Sequence, residues 1–127
     1  MAHVLVVDDD AAIREMLLDM LTYEGHEVAE APNGQVALDM LRTTPHRWVV
    51  LLDYRMPVLD GPSVLEAVAA DSSLARQHVY IAMPATAQMD APVAALRTAL
   101  GVPLLAKPFE LKQLFDAIAQ AEVGLPG

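Results

Sequence analysis

The stretch Trp48-Val49-Val50-Leu51-Leu52-Asp53, followed by Tyr54-Arg55-Met56-Pro57, decides how the rest of the chain is read. An unbroken apolar run of Val and Leu that ends on a carboxylate is the pattern of a strand buried on both faces. Pro57 has no backbone N–H to offer a ladder, so the strand cannot continue far beyond Asp53. Asp53 then stands at the carboxyl end of a central parallel strand, where open α/β sheets hold their ligands. Taken singly, an aspartate after a strand is more often the cap of the next helix. The flanking sequence decides between the two.

Toward the N-terminus, Val4 to Val7 is a second short apolar run that ends in acid, Asp8-Asp9-Asp10. Ile13, Met16, Leu17, Met20 and Leu21 follow at helical spacing, with Asp10 placed to cap that helix and Gly25 to end it. His26 to Ala31 is expected to be a strand, Pro32-Asn33-Gly34 a turn, and Ala37, Leu38 and Leu41 the inner face of a short helix. Beyond the central run, Asp60-Gly61-Pro62 turns into a helix on Val64, Leu65 and Val68, and Val79 to Met83 is a fourth strand. A helix over Met89 to Leu100, a strand over Val102 to Ala106 and a helix on Leu111, Leu114, Phe115 and Ile118 complete the order. Pro103 inside the fifth strand assigns it to an edge. Five strands alternating with five helices require a parallel sheet with right-handed crossovers.

Composition narrows the class. The 127 residues are a single-domain length, and a hydrophobic content of 54% excludes a disordered chain. No apolar stretch reaches the length of a membrane span, and the N-terminus lacks a basic region followed by a long apolar segment. The expectation is a cytoplasmic protein without a membrane partner. The absence of cysteine excludes a disulfide framework, a thiol nucleophile and thiolate metal ligands. A formal charge of −9 argues against direct nucleic-acid binding, which needs Lys and Arg to displace counterions, and suits a cationic partner or a bound cation.

In a parallel sheet all strands end on one side, so Asp8, Asp9, Asp53 and Lys107 can converge on one rim. Crowded carboxylates raise each other's pKa unless positive charge sits among them. A hard divalent ion with oxygen ligands answers that need, and an incompletely caged Mg²⁺ takes one or two carboxylates plus waters. An aspartate between Mg²⁺ and an ammonium group is poised to attack phosphorus.

The order Val6-Val7-Asp8-Asp9-Asp10, then Leu51-Leu52-Asp53-Tyr54-Arg55-Met56-Pro57 with Asp60-Gly61 soon after, then Lys107-Pro108-Phe109, resembles the receiver domain of two-component response regulators over nearly the full length. The resemblance implies a flavodoxin-like (βα)5 fold: a doubly wound, five-stranded parallel sheet in the order 2-1-3-4-5 with helices on both faces. It implies one receiver domain over 1–127, with a frayed tail over 123–127 and no effector domain. By the same resemblance Asp53 is the phosphoacceptor. Asp9 and Asp53 are direct Mg²⁺ ligands with the Arg55 backbone carbonyl, Asp8 acts mostly through water, Lys107 pairs with the phosphoryl group, and Lys107–Pro108 is cis. The implied partners are a sensor histidine kinase or phosphotransfer protein and a downstream protein; the implied activity is self-phosphorylation with slow autodephosphorylation.

The switch positions depart from the family pattern. Receivers carry Ser or Thr at the end of the fourth strand; counting from Asp53 puts Met83 there, and aligning the strand's own pattern puts Pro84 there. Thr86 lies just beyond. The second switch position, usually aromatic, is Leu104. A receiver-like binding module or phosphate sink, working without that switch, is the second reading. A phosphatase resembling the haloacid dehalogenases, using the Asp8-Asp9-Asp10 stretch, is the third.

Overall fold

A computed structural model describes residues 2–85 and 90–124. Strands β1 (His3–Val7), β2 (Glu27–Ala31), β3 (Trp48–Asp53) and β4 (Val79–Met83) form one parallel sheet in the order β2-β1-β3-β4. Helices α1 (Ala11–Tyr23), α2 (Gly34–Thr43), α3 (Gly61–Ala70), α4 (Ser72–Gln77), α5 (Ala91–Leu100) and α6 (Leu111–Gly124) cover it.

The apolar runs of the strands divide by alternation, because successive side chains leave a strand on opposite faces. Leu5, Val7, Val50, Leu52, Tyr80 and Ala82 join Leu38 and Leu41 of α2 and Val64, Leu65 and Val68 of α3 in one core. Val4, Val6, Val49, Leu51, Ile81 and Met83 join Leu17 and Leu21 of α1 and Leu114 and Ile118 of α6 in the other. Burial on both faces fixes register, since a slip by one residue would exchange the two cores. That register pairs Val7 with Leu52 and Asp53 with Met83, so the acidic ends of β1 and β3 emerge side by side.

The helix termini follow their local signals. Asp10 caps α1 by accepting from the N–H groups of Ala12 and Ile13. At the other end Gly25 takes φ 94°, with His26 N–H donating to Leu21 O at 3.1 Å and Gly25 N–H to Thr22 O at 3.0 Å. That pair of bonds closes the helix with a residue in a backbone region open to glycine.

Two expectations are corrected. The fifth strand of the 2-1-3-4-5 order is reduced to one bridge, Ala82 with Leu104, held by Ala82 N–H to Pro103 O at 3.0 Å and Leu105 N–H to Ala82 O at 2.8 Å. Pro103 supplies an acceptor there but no donor, which breaks the ladder. The described residues also contain six helices, not five. The additional one, α4, is capped by Asp71, which accepts from Ser73 and Leu74 N–H; with only Leu74 buried it has no apolar stripe for periodicity to detect. The expected start of α5 at Met89 lies outside the described residues. No helix among the described residues is long and apolar enough to cross a membrane.

The amino edge of the sheet is closed by His78, 3% exposed, whose Nδ1 accepts from the Trp48 N–H at 3.0 Å. Burial holds this imidazole below its ordinary value of 6.5; the Leu41 carbonyl opposes the shift and the Arg47 charge adds to it. The unfolded chain therefore takes up a proton near pH 6.5 that the folded chain refuses. The associated stability is complete above that pH and falls as pH drops below it. Urea denaturation of the wild type should show stability decreasing from pH 6.5 toward 5. His78→Asn retains an acceptor for Trp48 without titrating, so it should be less stable but flatter over the same window; equal slopes would remove His78 as the cause.

Candidate functional site

Asp8 follows β1, Asp53 ends β3, and Lys107 follows the bridged segment that lies beside β4. Lys107 N–H donates to Pro84 O at 2.8 Å, which aligns its side chain with the carboxyl edge of the sheet. Its ammonium reaches Asp8 Oδ2 at 2.9 Å and Asp53 Oδ1 at 3.1 Å. Asp8 is 1% and Asp53 8% exposed, whereas Asp9 is exposed. Carboxylate oxygens of Asp8, Asp9 and Asp53 lie within 4.8 Å of one another. The carboxylates and the lysine singled out in the sequence thus converge.

Further bonds hold the two buried carboxylates. Asp8 Oδ1 accepts from Asp10 N–H at 2.9 Å, and Asp8 N–H donates to Ala31 O at 3.2 Å. Asp53 Oδ1 also accepts from Tyr54 N–H at 2.9 Å, so Oδ2 is the Asp53 oxygen left open among the described residues. Asp8 carries a bond on each carboxylate oxygen and Asp10 caps α1 through Oδ1, an arrangement that does not favour the phosphatase reading.

Burial raises the Asp53 pKa, and the Asp8 charge raises it further; the Lys107 hydrogen bond and charge and the Tyr54 N–H pull the other way without prevailing. For Lys107, burial alone favours the neutral amine, but the hydrogen bonds and charges of Asp8 and Asp53 outweigh it and leave the ammonium more firmly protonated. One ammonium against three carboxylates leaves negative charge in excess. An all-oxygen donor set with that excess and with Asp9 open to solvent fits a hard divalent cation, Mg²⁺, and lacks the imidazole or thiolate ligands of softer metals.

The loop from Asp53 to α3 is held tightly. Gly61 N–H donates to Tyr54 O at 2.9 Å, and a Cβ on Gly61 would meet Asp53 O at 2.5 Å and Tyr54 Cα at 3.0 Å. Between them Leu59 N–H donates to Pro57 O at 2.8 Å across Val58, which adopts φ 71°. A β-branched residue at the centre of such a γ-turn is strained. Arg55, in the same loop, is exposed, and its side chain makes no ion pair among the described residues.

The switch positions are as unusual in space as in sequence. Met83 is fully buried in register with Asp53, Pro84 is buried with its carbonyl taken by Lys107 N–H, and Leu104 is half-buried at the bridge to Ala82. Thr86 lies outside the described residues. Lys107–Pro108 is cis, as the resemblance implied.

Comparison with known proteins agrees with this geometry: the profile described as "Response regulator receiver domain" matches residues 4–119. The chain belongs to the response regulator receiver family. This receiver is 34% identical over 128 residues to the response regulator protein FleR of Pseudomonas aeruginosa, covering 99% of the chain but only 26% of FleR. It is 32% identical over 117 residues to the probable chemotaxis protein CheY of Rhizobium etli, covering 91% of the chain and 88% of that protein. Among solved structures, response regulator TrrA of Thermotoga maritima, in complex with Mg²⁺–BeF, superposes with a TM-score of 0.78 at 26% identity, covering 95% of this chain and 99% of that one.

Two residues that touch the backbone of the site aspartates were given no role there from the sequence. Gly61 enters the sequence reading as a turn residue and as part of the receiver-like Asp60-Gly61 pair, without a role at the site; its missing Cβ is what lets α3 begin against the Asp53 carbonyl. Arg14 donates to the Asp8 carbonyl at 2.8 Å; its one sequence signal is a cation in the second turn of a helix that starts at an acidic strand end. Gly61→Ala should lower stability by about 1–3 kcal/mol through overpacking and weaken divalent-ion binding by displacing Asp53. Thermal melts and calorimetry of the same variant check both, and an unchanged melt would show that the loop relaxes freely.

Proposed function

We propose that this receiver takes a phosphoryl group onto Asp53 from the phosphohistidine of a sensor histidine kinase or phosphotransfer protein, and later loses it slowly to water. The observation that carries this reading is the shared Lys107 ammonium between Asp8 and Asp53, with Asp9 alongside. Asp53 Oδ1 is held by Lys107 and Tyr54 N–H, so Oδ2 attacks phosphorus. The new O–P bond forms as the P–N bond breaks, and the imidazole leaves with the electron pair. Lys107 then faces a phosphoryl oxygen, giving positive charge where the transferring group carries negative charge. Asp9, Asp53 and the Arg55 carbonyl would hold Mg²⁺, with Asp8 acting through water; bound there, the ion neutralises phosphoryl oxygens and offsets the repulsion that raises the Asp53 pKa.

Incubation with Mg²⁺ and acetyl phosphate should add one phosphoryl group by intact mass, and Asp53→Asn should abolish it. Peptide mapping that placed the group on Asp8 or Asp10 would overturn the assignment.

Output follows from the rim of β4. A hydroxyl at a strand end gives phosphorylation a contact that exists in one state only, and such differential contacts shift conformational equilibria. Met83 and Pro84 have no hydroxyl, and the Leu104 side chain has no polar group to reward exposure. Phosphorylation here acts locally, through the loops around Asp53 and Lys107, and passes to a downstream protein with little change on the α5 face. Amide chemical shifts recorded with and without beryllofluoride should move mainly near Asp53 and Lys107. Large shifts across Ala91 to Phe115 that persist in Thr86→Ala would refute a local output.

A further inference from the structure

Arg14 lies outside the ring of carboxylates, on α1, with its side chain 15% exposed. Its guanidinium reaches in two directions: one Nη1–H donates to the Asp8 carbonyl at 2.8 Å, and Nε–H donates to Glu30 Oε1 at 3.0 Å. One cation thus ties α1, the end of β1 and β2 together. The planar donor fork of arginine suits such a two-way clamp better than the point charge of lysine.

The bonded carbonyl is part of the Asp8–Asp9 peptide, a rigid plane whose other end is the Asp9 N–H. Asp8 has further anchors: its N–H is tied to Ala31 O, and its carboxylate to Asp10 N–H and Lys107. Asp9 has no such ties, being exposed with no hydrogen bond or ion pair to its carboxylate among the described residues. The orientation of its carboxylate is therefore inherited from the peptide that Arg14 holds and from the start of α1. Outer partners of this kind, which orient ligands without touching the metal, strongly affect metal affinity.

We propose that Arg14 is a positioning residue for the divalent cation: clamped to Glu30, it fixes the Asp8–Asp9 peptide so that the Asp9 carboxylate faces the gap beside Asp53. The inference rests on the Mg²⁺ reading of the site. It carries a sign that separates it from simple electrostatics. As a charge near three carboxylates, Arg14 opposes cation binding, so its removal would tighten the site. As a positioning group it favours binding, so its removal loosens the site.

Mg²⁺ titration by calorimetry, with folding checked by circular dichroism, compares the wild type with Arg14→Met and Arg14→Lys. Methionine keeps the packing of the stem while losing the charge and the donors; lysine keeps the charge and one donor. Affinity should fall about tenfold in Arg14→Met and recover in part in Arg14→Lys. If Arg14→Met does not fold, Arg14→Gln, which is neutral but retains an amide donor, should bind more weakly than the wild type. Equal or tighter binding in a folded neutral variant overturns the positioning role alone. Absence of Mg²⁺ binding by the wild type overturns the metal reading and the inference together.

Discussion

The Lys107 ammonium, shared between Asp8 Oδ2 at 2.9 Å and Asp53 Oδ1 at 3.1 Å, is the contact on which the carboxyl edge of this sheet depends. Two carboxylates buried side by side repel each other and lose hydration, and both effects favour protonation. The parallel register nevertheless forces them together, because β1 and β3 are held in step by two apolar cores that admit no slip. Lys107 comes from 99 residues along the chain to meet Asp8. Its place is set by a backbone bond to Pro84 and not by a fifth regular strand. The incomplete compensation it provides leaves a site with an appetite for a further cation.

The two ends of the sheet divide the work. At the carboxyl edge the polar groups are charged, in part exposed and held by short loops. At the amino edge Trp48 is fixed by bonds from its ring Nε1 to Thr44 Oγ1 at 3.0 Å and from its backbone to His78, and His3 stacks on His46 at 4.3 Å between ring centroids. β3 alone spans from Trp48 to Asp53, about 16 Å at the usual rise per residue. Trp48 fluorescence therefore has no direct contact with a cation at Asp53, and tryptophan emission is a poor reporter for this site.

The end of β4 carries no side-chain hydroxyl at Met83 or Pro84. Met83 sits in the core in register with Asp53, and Pro84 presents a carbonyl already bonded to Lys107. Both belong to the packing that holds the site. Structural support for Asp53 and Lys107 thus comes from the same two residues at the end of β4.

The central strand, the alternation of strands and helices, the cap at Asp10 and the convergence of Asp8, Asp9, Asp53 and Lys107 were determined by the sequence itself. Continuous apolar runs, turn residues and strand-end acids are local signals, and a parallel sheet allows only one side for its strand ends. The missing switch hydroxyl was equally plain, since it is a matter of residue type. Tertiary structure decided what depends on distance. Pro103 accepts from Ala82 N–H but has no N–H of its own with which to extend the ladder, so the fifth strand is reduced to a bridge. α4 forms on a single buried leucine because Asp71 caps it and α3 packs beside it. Gly61 matters through a Cβ it does not have, and Arg14 through a carbonyl six residues behind it and a carboxylate on β2. No periodicity encodes such contacts; they exist only once the chain has folded back on itself.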